Sequence, residues 1–164
     1  MCIRDSMETY RYAAEHSRHS LCFNGDIHSV GAYEQLRQMF PMTEKVMLGR
    51  GILQNPGLVG ELQRVEAQFE AKDSDTPVGS KKCNVVDKQT LRAFHDDICD
   101  GYKDVMSGDR NTLFKMKELW CYMSKSFTNP EKYLKKIKKT ERLAEYYVIV
   151  DTLFREQELQ QEWS

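Results

Sequence analysis

The residues with the clearest chemical potential are glycines flanked by polar side chains. Asn24, Gly25 and Asp26 directly follow a short apolar segment, and a helix is expected to begin soon after them, near Ser29. A glycine at such a position lets the backbone approach a ligand closely, and the free amides of a helix start suit a phosphate. Because Asn-Gly is also a common turn dipeptide, an ordinary turn is the simpler interpretation of this segment alone.

A second glycine-rich segment consists of Gly49, Arg50 and Gly51, at the end of the next apolar segment. Two consecutive strands that both end on glycine place two amide-lined loops side by side, and Arg50 adds a positive charge. In a β/α barrel, the loops after the last two strands are the usual phosphate site. The pair of segments therefore predicts phosphate binding. The alternative is two unrelated turns, with Arg50 in solvent.

A third group of chemical interest is a cluster of lysines. Residues 110–142 hold ten Lys and Arg against three acidic residues, a net charge of +7, whereas the whole chain of 164 residues carries a formal charge of -1. Helical spacing places four lysines on one face and three apolar residues on the other. They are Lys132, Lys135, Lys136 and Lys139, opposite Tyr133, Leu134 and Ile137. This excess of positive charge indicates nucleic-acid contact, with a merely solvated face as the alternative.

The cysteines and histidines do not predict a metal site. Five cysteines lie far apart, with no Cys-x-x-Cys pair: Cys2, Cys22, Cys83, Cys99 and Cys121. This spacing argues against zinc and disulfides and favours a cytoplasmic location. We interpret Cys22 as a small buried apolar residue of a strand and His28 as a surface residue. No apolar run of about 18 residues exists, so no membrane span is expected.

The elements that must position the glycine-rich segments alternate between helices and strands. The pattern predicts a helix at 7–16, a strand at 21–23, a helix at 29–41, a strand at 45–48 and a helix at 56–69. Such alternation implies parallel βα units. Since two units cannot close a sheet, residues 7–71 are expected to be part of a larger α/β domain. Residues 1–6 fit no pattern, and we treat them as a non-native leader.

The rest of the chain is expected to be helical, after a polar linker at residues 72–86. Apolar residues recur at helical spacing in four segments: Leu91 to Val105, Leu113 to Phe127, residues 130–139, and Leu143 to Phe154. Asn129 is expected to cap the third helix, with Pro130 in its first turn. Four amphipathic helices of this kind predict a small bundle over residues 87–158.

Several of these segments, taken in order, carry a family resemblance. The sequences FNGDI at 23–27, VMLGRG at 46–51 and NP at 55–56 resemble the last two strand ends of tRNA-dihydrouridine synthases. The sequence MKELW at 116–120 and the lysines within 135–139 resemble the C-terminal helical domain of that family. The similarity extends over nearly all of the chain from residue 7 to residue 154.

The resemblance implies an oxidoreductase that reduces uridine in tRNA to 5,6-dihydrouridine, with FMN as cofactor and NADPH as reductant. The implied fold is the C-terminal remnant of a (β/α)8 TIM barrel, followed by a helical tRNA-binding domain. The residues expected to hold the phosphate end of FMN are Asn24, Gly25, Asp26, Gly49 and Arg50. The four lysines of residues 132–139 are expected to contact tRNA.

The resemblance also implies that the catalytic half is missing from this chain. In that family, the proton-donating cysteine and the flavin-ring contacts lie in an N-terminal portion, and no cysteine here matches its motif. We therefore name no catalytic residue and expect the isolated chain to be inactive, and the full-length protein to be a cytoplasmic monomer. Two alternatives remain: another phosphate-binding flavin TIM-barrel oxidoreductase acting on a small molecule, and a non-enzymatic RNA-binding module.

Overall fold

The computed structural model describes residues 7–71 and 86–160, which divide into two compact units. Within the described residues, the first unit consists of 7–52 and 57–71, and the second of 53–56 and 86–160. The expected leader at residues 1–6 and all but the last residue of the expected linker lie outside the described residues. Each unit has an apolar core of its own.

The first unit is built from short parallel strands and helices. Its elements are α1 (Met7–His16), β1 (Cys22–Phe23), α2 (Val30–Met39), β2 (Lys45–Val46), the first three residues of α3 (Arg50–Gln54) and α4 (Leu58–Ala71). The two strands pair in parallel, with Cys22 opposite Lys45 and Phe23 opposite Val46. The predicted parallel βα arrangement is confirmed, although each strand is shorter than the sequence indicated.

The core of this unit explains why its helices lie where they do. Ser29 caps α2, because its side chain accepts a hydrogen bond from the amide of Ala32 at 3.3 Å. Apolar side chains from the strands, from α2 and from α4 form one buried cluster, and burial of each contributes about 1.5–3 kcal/mol. Its members are Phe23, Ile27, Tyr33, Leu36, Phe40, Leu58 and Leu62.

Two predictions for this unit are wrong. The segment around Arg50 was expected to be a turn before a helix near Pro56, but α3 already begins at Arg50 and α4 follows from Leu58. Within α3, Gly51 has no side chain and therefore lies directly against the backbone of Ile27. Cys22 was expected to be buried, yet it is exposed, because its neighbour Phe23 takes the inward position of the strand.

The second unit is a helical bundle. Its helices are α5 (Lys88–Val105), α6 (Asp109–Met123), α7 (Glu131–Lys139) and α8 (Leu143–Glu156), with a 3-10 turn at Ser124–Ser126. The apolar residues predicted for α6 and α8 are buried, and they form one cluster with residues of α5 and α7. Among the described helices, none combines the length and the apolar character needed to cross a membrane.

Two details of the bundle differ from the sequence prediction. Val105 was assigned to the apolar face of α5 but is 75% exposed, whereas His95 and Cys99 of the same helix are fully buried. Asn129 does not cap α7, because the helix begins one residue later and Pro130 occupies the cap position without a side-chain hydrogen bond. Before it, Thr128 is held in an extended segment by its amide, which donates to the carbonyl of Glu158 at 2.9 Å.

The buried histidine belongs to a hydrogen-bonded chain through the bundle core. The indole N–H of Trp120 donates to the Tyr146 hydroxyl at 2.6 Å, and that hydroxyl lies 2.6 Å from Nε2 of His95. The Nδ1 atom of His95 lies 2.8 Å from a carboxylate oxygen of Asp96. A neutral His95 with its proton on Nδ1 satisfies every group in this chain. Burial lowers the pKa of His95, even though Asp96 favours the charged form.

Candidate functional site

The loop that follows β1 carries the first predicted site residues. Phe23 is buried at the end of the strand, whereas Asn24 and Asp26 are exposed. Gly25 makes a tight turn, in which the amide of Ile27 donates to the Gly25 carbonyl at 3.1 Å. A Cβ atom at Gly25 would lie 2.4 Å from Cζ of Phe23, so a side chain there would displace the ring. The glycine is therefore favoured by packing against Phe23.

The loop after β2 lies directly against this first loop. A Cβ atom at Gly51 would lie 2.2 Å from the carbonyl oxygen of Ile27, so the first turn of α3 packs on the backbone of the first loop. The space around Gly49 is open, since a Cβ atom there would meet no heavy atom within 4 Å. Thus one glycine brings the two strand ends together, and the other leaves room beside them.

An ion pair joins the two loops. The Arg50 guanidinium donates from Nη2 to Oδ1 of Asp26, and both side chains are partly exposed. The same carboxylate oxygen of Asp26 lies 3.4 Å from Nε2 of His28. Two of the predicted residues, Asp26 and Arg50, are thus in direct contact, while Gly25 and Gly49 shape the backbone around them.

His28 also lies in this site, although its sequence context favoured a surface position over contact with a ligand. It was interpreted as a surface residue, but it is half-buried, and its Nδ1 atom is buried without a hydrogen-bond partner among the described residues. A buried polar atom without a partner costs free energy unless something else pairs with it. Its position two residues after Asp26 was the available signal, because it follows the same strand end.

These residues offer what a phosphate requires. A guanidinium such as that of Arg50 suits phosphate oxygens, and no heavy atom crowds the neighbouring Gly49. The carboxylate of Asp26 has the wrong charge for direct contact with a phosphate. Its geometry fits a positioning role instead, because it forms an ion pair with the Arg50 guanidinium.

The second candidate site is the exposed side of α7. Tyr133 and Ile137 are buried, and Leu134 is half-buried against the bundle core. The opposite side carries four exposed lysines: Lys132, Lys135, Lys136 and Lys139. We call these four residues the lysine face. Their ammonium groups are accessible to a polyanion, and the helix that carries them is fixed by its apolar side.

The cysteines and histidines of the described residues form no metal site. Cys22, Cys99 and Cys121 are free thiols, and Cys2 and Cys83 lie outside the described residues. The buried Cys99 lies 3.2 Å from the hydroxyl of Tyr147 and belongs to the bundle core. None of the three described thiols lies in either candidate site.

The geometry defines a class of protein: parallel βα units whose joined strand ends suit a phosphate, in one chain with a helical unit that carries a basic face. A family model described as dihydrouridine synthase (Dus) matches residues 10–147. The chain belongs to the dihydrouridine synthase family. Members of this family are, in general, flavin-dependent oxidoreductases that reduce uridine in tRNA. Comparisons with curated proteins and with solved structures gave no match.

Proposed function

We propose that this chain is the C-terminal part of a tRNA-dihydrouridine synthase that uses FMN and NADPH to reduce uridine to 5,6-dihydrouridine. In this proposal, the first unit holds the phosphate end of FMN and the helical unit binds tRNA. The observation that carries the proposal is the Asp26–Arg50 ion pair, which joins two adjacent strand ends inside the segment that the family model matches.

Each residue of the first site has a distinct part in holding FMN. Arg50 donates hydrogen bonds to the phosphate, and Asp26 positions Arg50. Gly49 leaves space for the phosphate, and Gly25 shapes the loop beside it. Asn24 is exposed at the same strand end, where its amide can donate to the ligand. His28 adds a donor or an acceptor according to its tautomer. When FMN is bound, its isoalloxazine ring supplies the hydride for the uracil ring.

The proposal that the first unit is a remnant of a (β/α)8 barrel has separate support. Its two parallel strands each keep an unpaired edge among the described residues, and parallel sheets are usually covered on both faces. Met42 and Met47 are more than half exposed in this unit. A barrel whose other strands lie elsewhere in the protein accounts for both features. It also accounts for the lack of a catalytic cysteine in the described sites, so the isolated chain is proposed to be inactive.

The tRNA-binding part of the proposal is supported by the lysine face. Lysine contacts with backbone phosphates give affinity without reading the base sequence, as suits an enzyme domain that holds a folded RNA. The alternative of a flavin enzyme for small molecules does not require such a surface. The alternative of a non-enzymatic RNA-binding module does not require the joined glycine-rich loops.

The phosphate site can be tested by comparing FMN with riboflavin, which lacks the phosphate. Titration of the isotopically labelled chain, followed by NMR, should shift the amide signals of Gly25, Gly49 and Gly51 with FMN and leave them in place with riboflavin. Arg50→Gln should weaken FMN binding about ten- to a hundredfold, because a hydrogen bond to a charged group contributes about 1.5–3 kcal/mol.

Arg11→Gln is the matched control, because Arg11 is an exposed arginine of the same unit on another element. This control should bind FMN as the parent does. Equal shifts with FMN and riboflavin, or equal FMN affinity in the parent and Arg50→Gln, would contradict the assignment of the phosphate site. Loss of FMN binding in both arginine variants would show that only the net charge matters.

A further inference from the structure

Helix α6 carries an exposed aromatic side chain within the basic segment. Phe114 is 68% exposed, whereas the other aromatic residues described in the helical unit are buried or half-buried. Arg110 and Lys117 lie four residues before it and three residues after it, so all three share one face of the helix. An exposed phenylalanine lacks the stabilisation that burial of its ring would give, and Phe114 does not belong to the buried core of the bundle.

A groove lies beside this ring. It encloses about 540 Å³ and is lined by Arg110, Asn111, Leu113, Phe114, Lys117 and Glu141. Neither Arg110 nor Lys117 forms an ion pair with a residue of the described ranges, so their charges are available to a ligand. The groove therefore combines an aromatic surface, two cations and the Glu141 carboxylate, which can accept a hydrogen bond.

We propose that this groove binds an unpaired nucleobase of RNA, which stacks on Phe114 while Arg110 and Lys117 contact the flanking phosphates. Every base has a π-face, and stacking on an aromatic side chain combined with cationic contacts is the usual way in which proteins hold single-stranded nucleic acid. This inference rests on the proposed tRNA binding, and it identifies a structural feature of the RNA, an unstacked nucleotide, that the lysine face cannot recognise.

The position of the groove favours RNA over a protein partner. Glu141 follows Lys139 by two residues, so the groove begins within about 7 Å of the C-terminal end of the lysine face. The surrounding segment, residues 110–142, carries a net charge of +7, which complements a polyanion. An RNA strand whose phosphates lie along α7 can therefore place its next unpaired base over the ring of Phe114.

The test uses the full chain with three probes: a tRNA transcript, single-stranded oligouridylate and a fully paired RNA duplex. Phe114→Leu keeps an apolar side chain but removes the aromatic face, so affinity for oligouridylate should fall about five- to a hundredfold. Duplex affinity and the salt dependence of binding should stay unchanged, because no cation is removed. Phe114→Trp should bind oligouridylate at least as tightly as the parent. The thermal unfolding midpoint of each variant should match the parent, since the ring is exposed.

Val148→Ala is the control, because Val148 is a comparably exposed apolar residue of the same unit, at 65%. It should bind all three RNAs as the parent does. Oligouridylate affinity that is the same in Phe114→Leu and the parent would overturn the groove assignment and leave tRNA binding by the lysine face intact. Replacement of the four lysines could leave tRNA affinity unchanged while Phe114→Leu still weakens oligouridylate binding. That result would support RNA binding by the groove and contradict RNA binding by the lysine face. If the parent binds none of the three RNAs, the groove and the proposed tRNA binding both fail.

Discussion

The lysine face yields a prediction whose size can be worked out from the structure. Replacement of Lys132, Lys135, Lys136 and Lys139 by alanine removes four exposed cations from α7. The helix should keep its place, because its buried residues are untouched and alanine is the best helix former. Any loss of RNA affinity in this variant then reports on charge and not on folding.

The expected loss follows from counterion release. Each phosphate contact contributes about 0.9 to the slope of log affinity against log salt on a duplex, so four contacts contribute up to about 3.6. A rise in salt from about 50 to about 200 mM would then weaken tRNA binding by the parent about 150-fold more than tRNA binding by the variant with four alanines. At low salt the variant should bind tRNA much more weakly than the parent, and the two affinities should converge as salt rises.

The assay is tRNA binding across a salt series, by filter retention or fluorescence anisotropy. A control variant lowers the net charge by the same four units in the first unit, with Gln in place of Arg11, Arg18, Lys45 and Arg64. A second control replaces the four lysines of α7 by arginine and keeps their charge. In both controls, log tRNA affinity should depend on log salt concentration with most of the parent's slope. A fourfold alanine variant with the parent's affinity and slope would refute the assignment of α7 to RNA contact.

Three further predictions concern the flavin, the glycine loops and the bundle core. The isolated chain should purify without bound flavin, because only the phosphate end of the site is proposed to be present; stoichiometric flavin absorbance in the purified protein would contradict this. Gly51→Ala should destabilise the first unit by about 1–3 kcal/mol, because its Cβ would collide with the carbonyl of Ile27, whereas Gly31→Ala has open space and should be neutral or stabilising in chemical denaturation. Burial lowers the pKa of His95, so as pH falls the imidazole takes up a proton in the unfolded chain before it does so in the folded chain. The free energy of unfolding of the bundle should therefore be highest above about pH 6.5 and decline below it. His95→Gln should flatten this decline, as followed by tryptophan fluorescence in a Trp163→Phe background; an unchanged pH profile would show that His95 is not the titrating group.

Local sequence features predicted most of the elements, although not α3, and much of the core. The helical spacing of apolar residues in α6 and α8 identified their buried faces, because burial of a continuous stripe is what holds an amphipathic helix in a bundle. Ser29 predicted the start of α2 for an equally local reason, since its side chain satisfies an amide three residues away. The order of strands and helices predicted the parallel pairing of β1 and β2.

Features that depend on residues far apart in the chain could not be predicted in the same way. Asp26 and Arg50 are separated by 24 residues, and their contact depends on the packing of Gly51 against the first loop. His95 and Tyr146 are separated by 51 residues, and their hydrogen bond is part of what allows α5 to bury a histidine. A contact between such distant residues cannot be recognised from the spacing of residues within one helix. Phe114 directly follows the buried Leu113 in α6, and an apolar residue type alone does not show which of the two is exposed.

The two candidate sites are proposed to bind phosphate for different physical reasons, and this difference makes the two parts of the proposed function separable by experiment. In the first unit, one arginine is held by a carboxylate, so the proposed binding depends on geometry and should respond to single changes such as Arg50→Gln. On α7, four exposed lysines contribute through counterion release, so binding depends on their number and on salt. Arg50→Gln should therefore change FMN binding and leave the RNA salt slope intact, and the fourfold lysine variant should do the reverse. If either variant changed both properties, the assignment of the two ligands to two units of this chain would have to be given up.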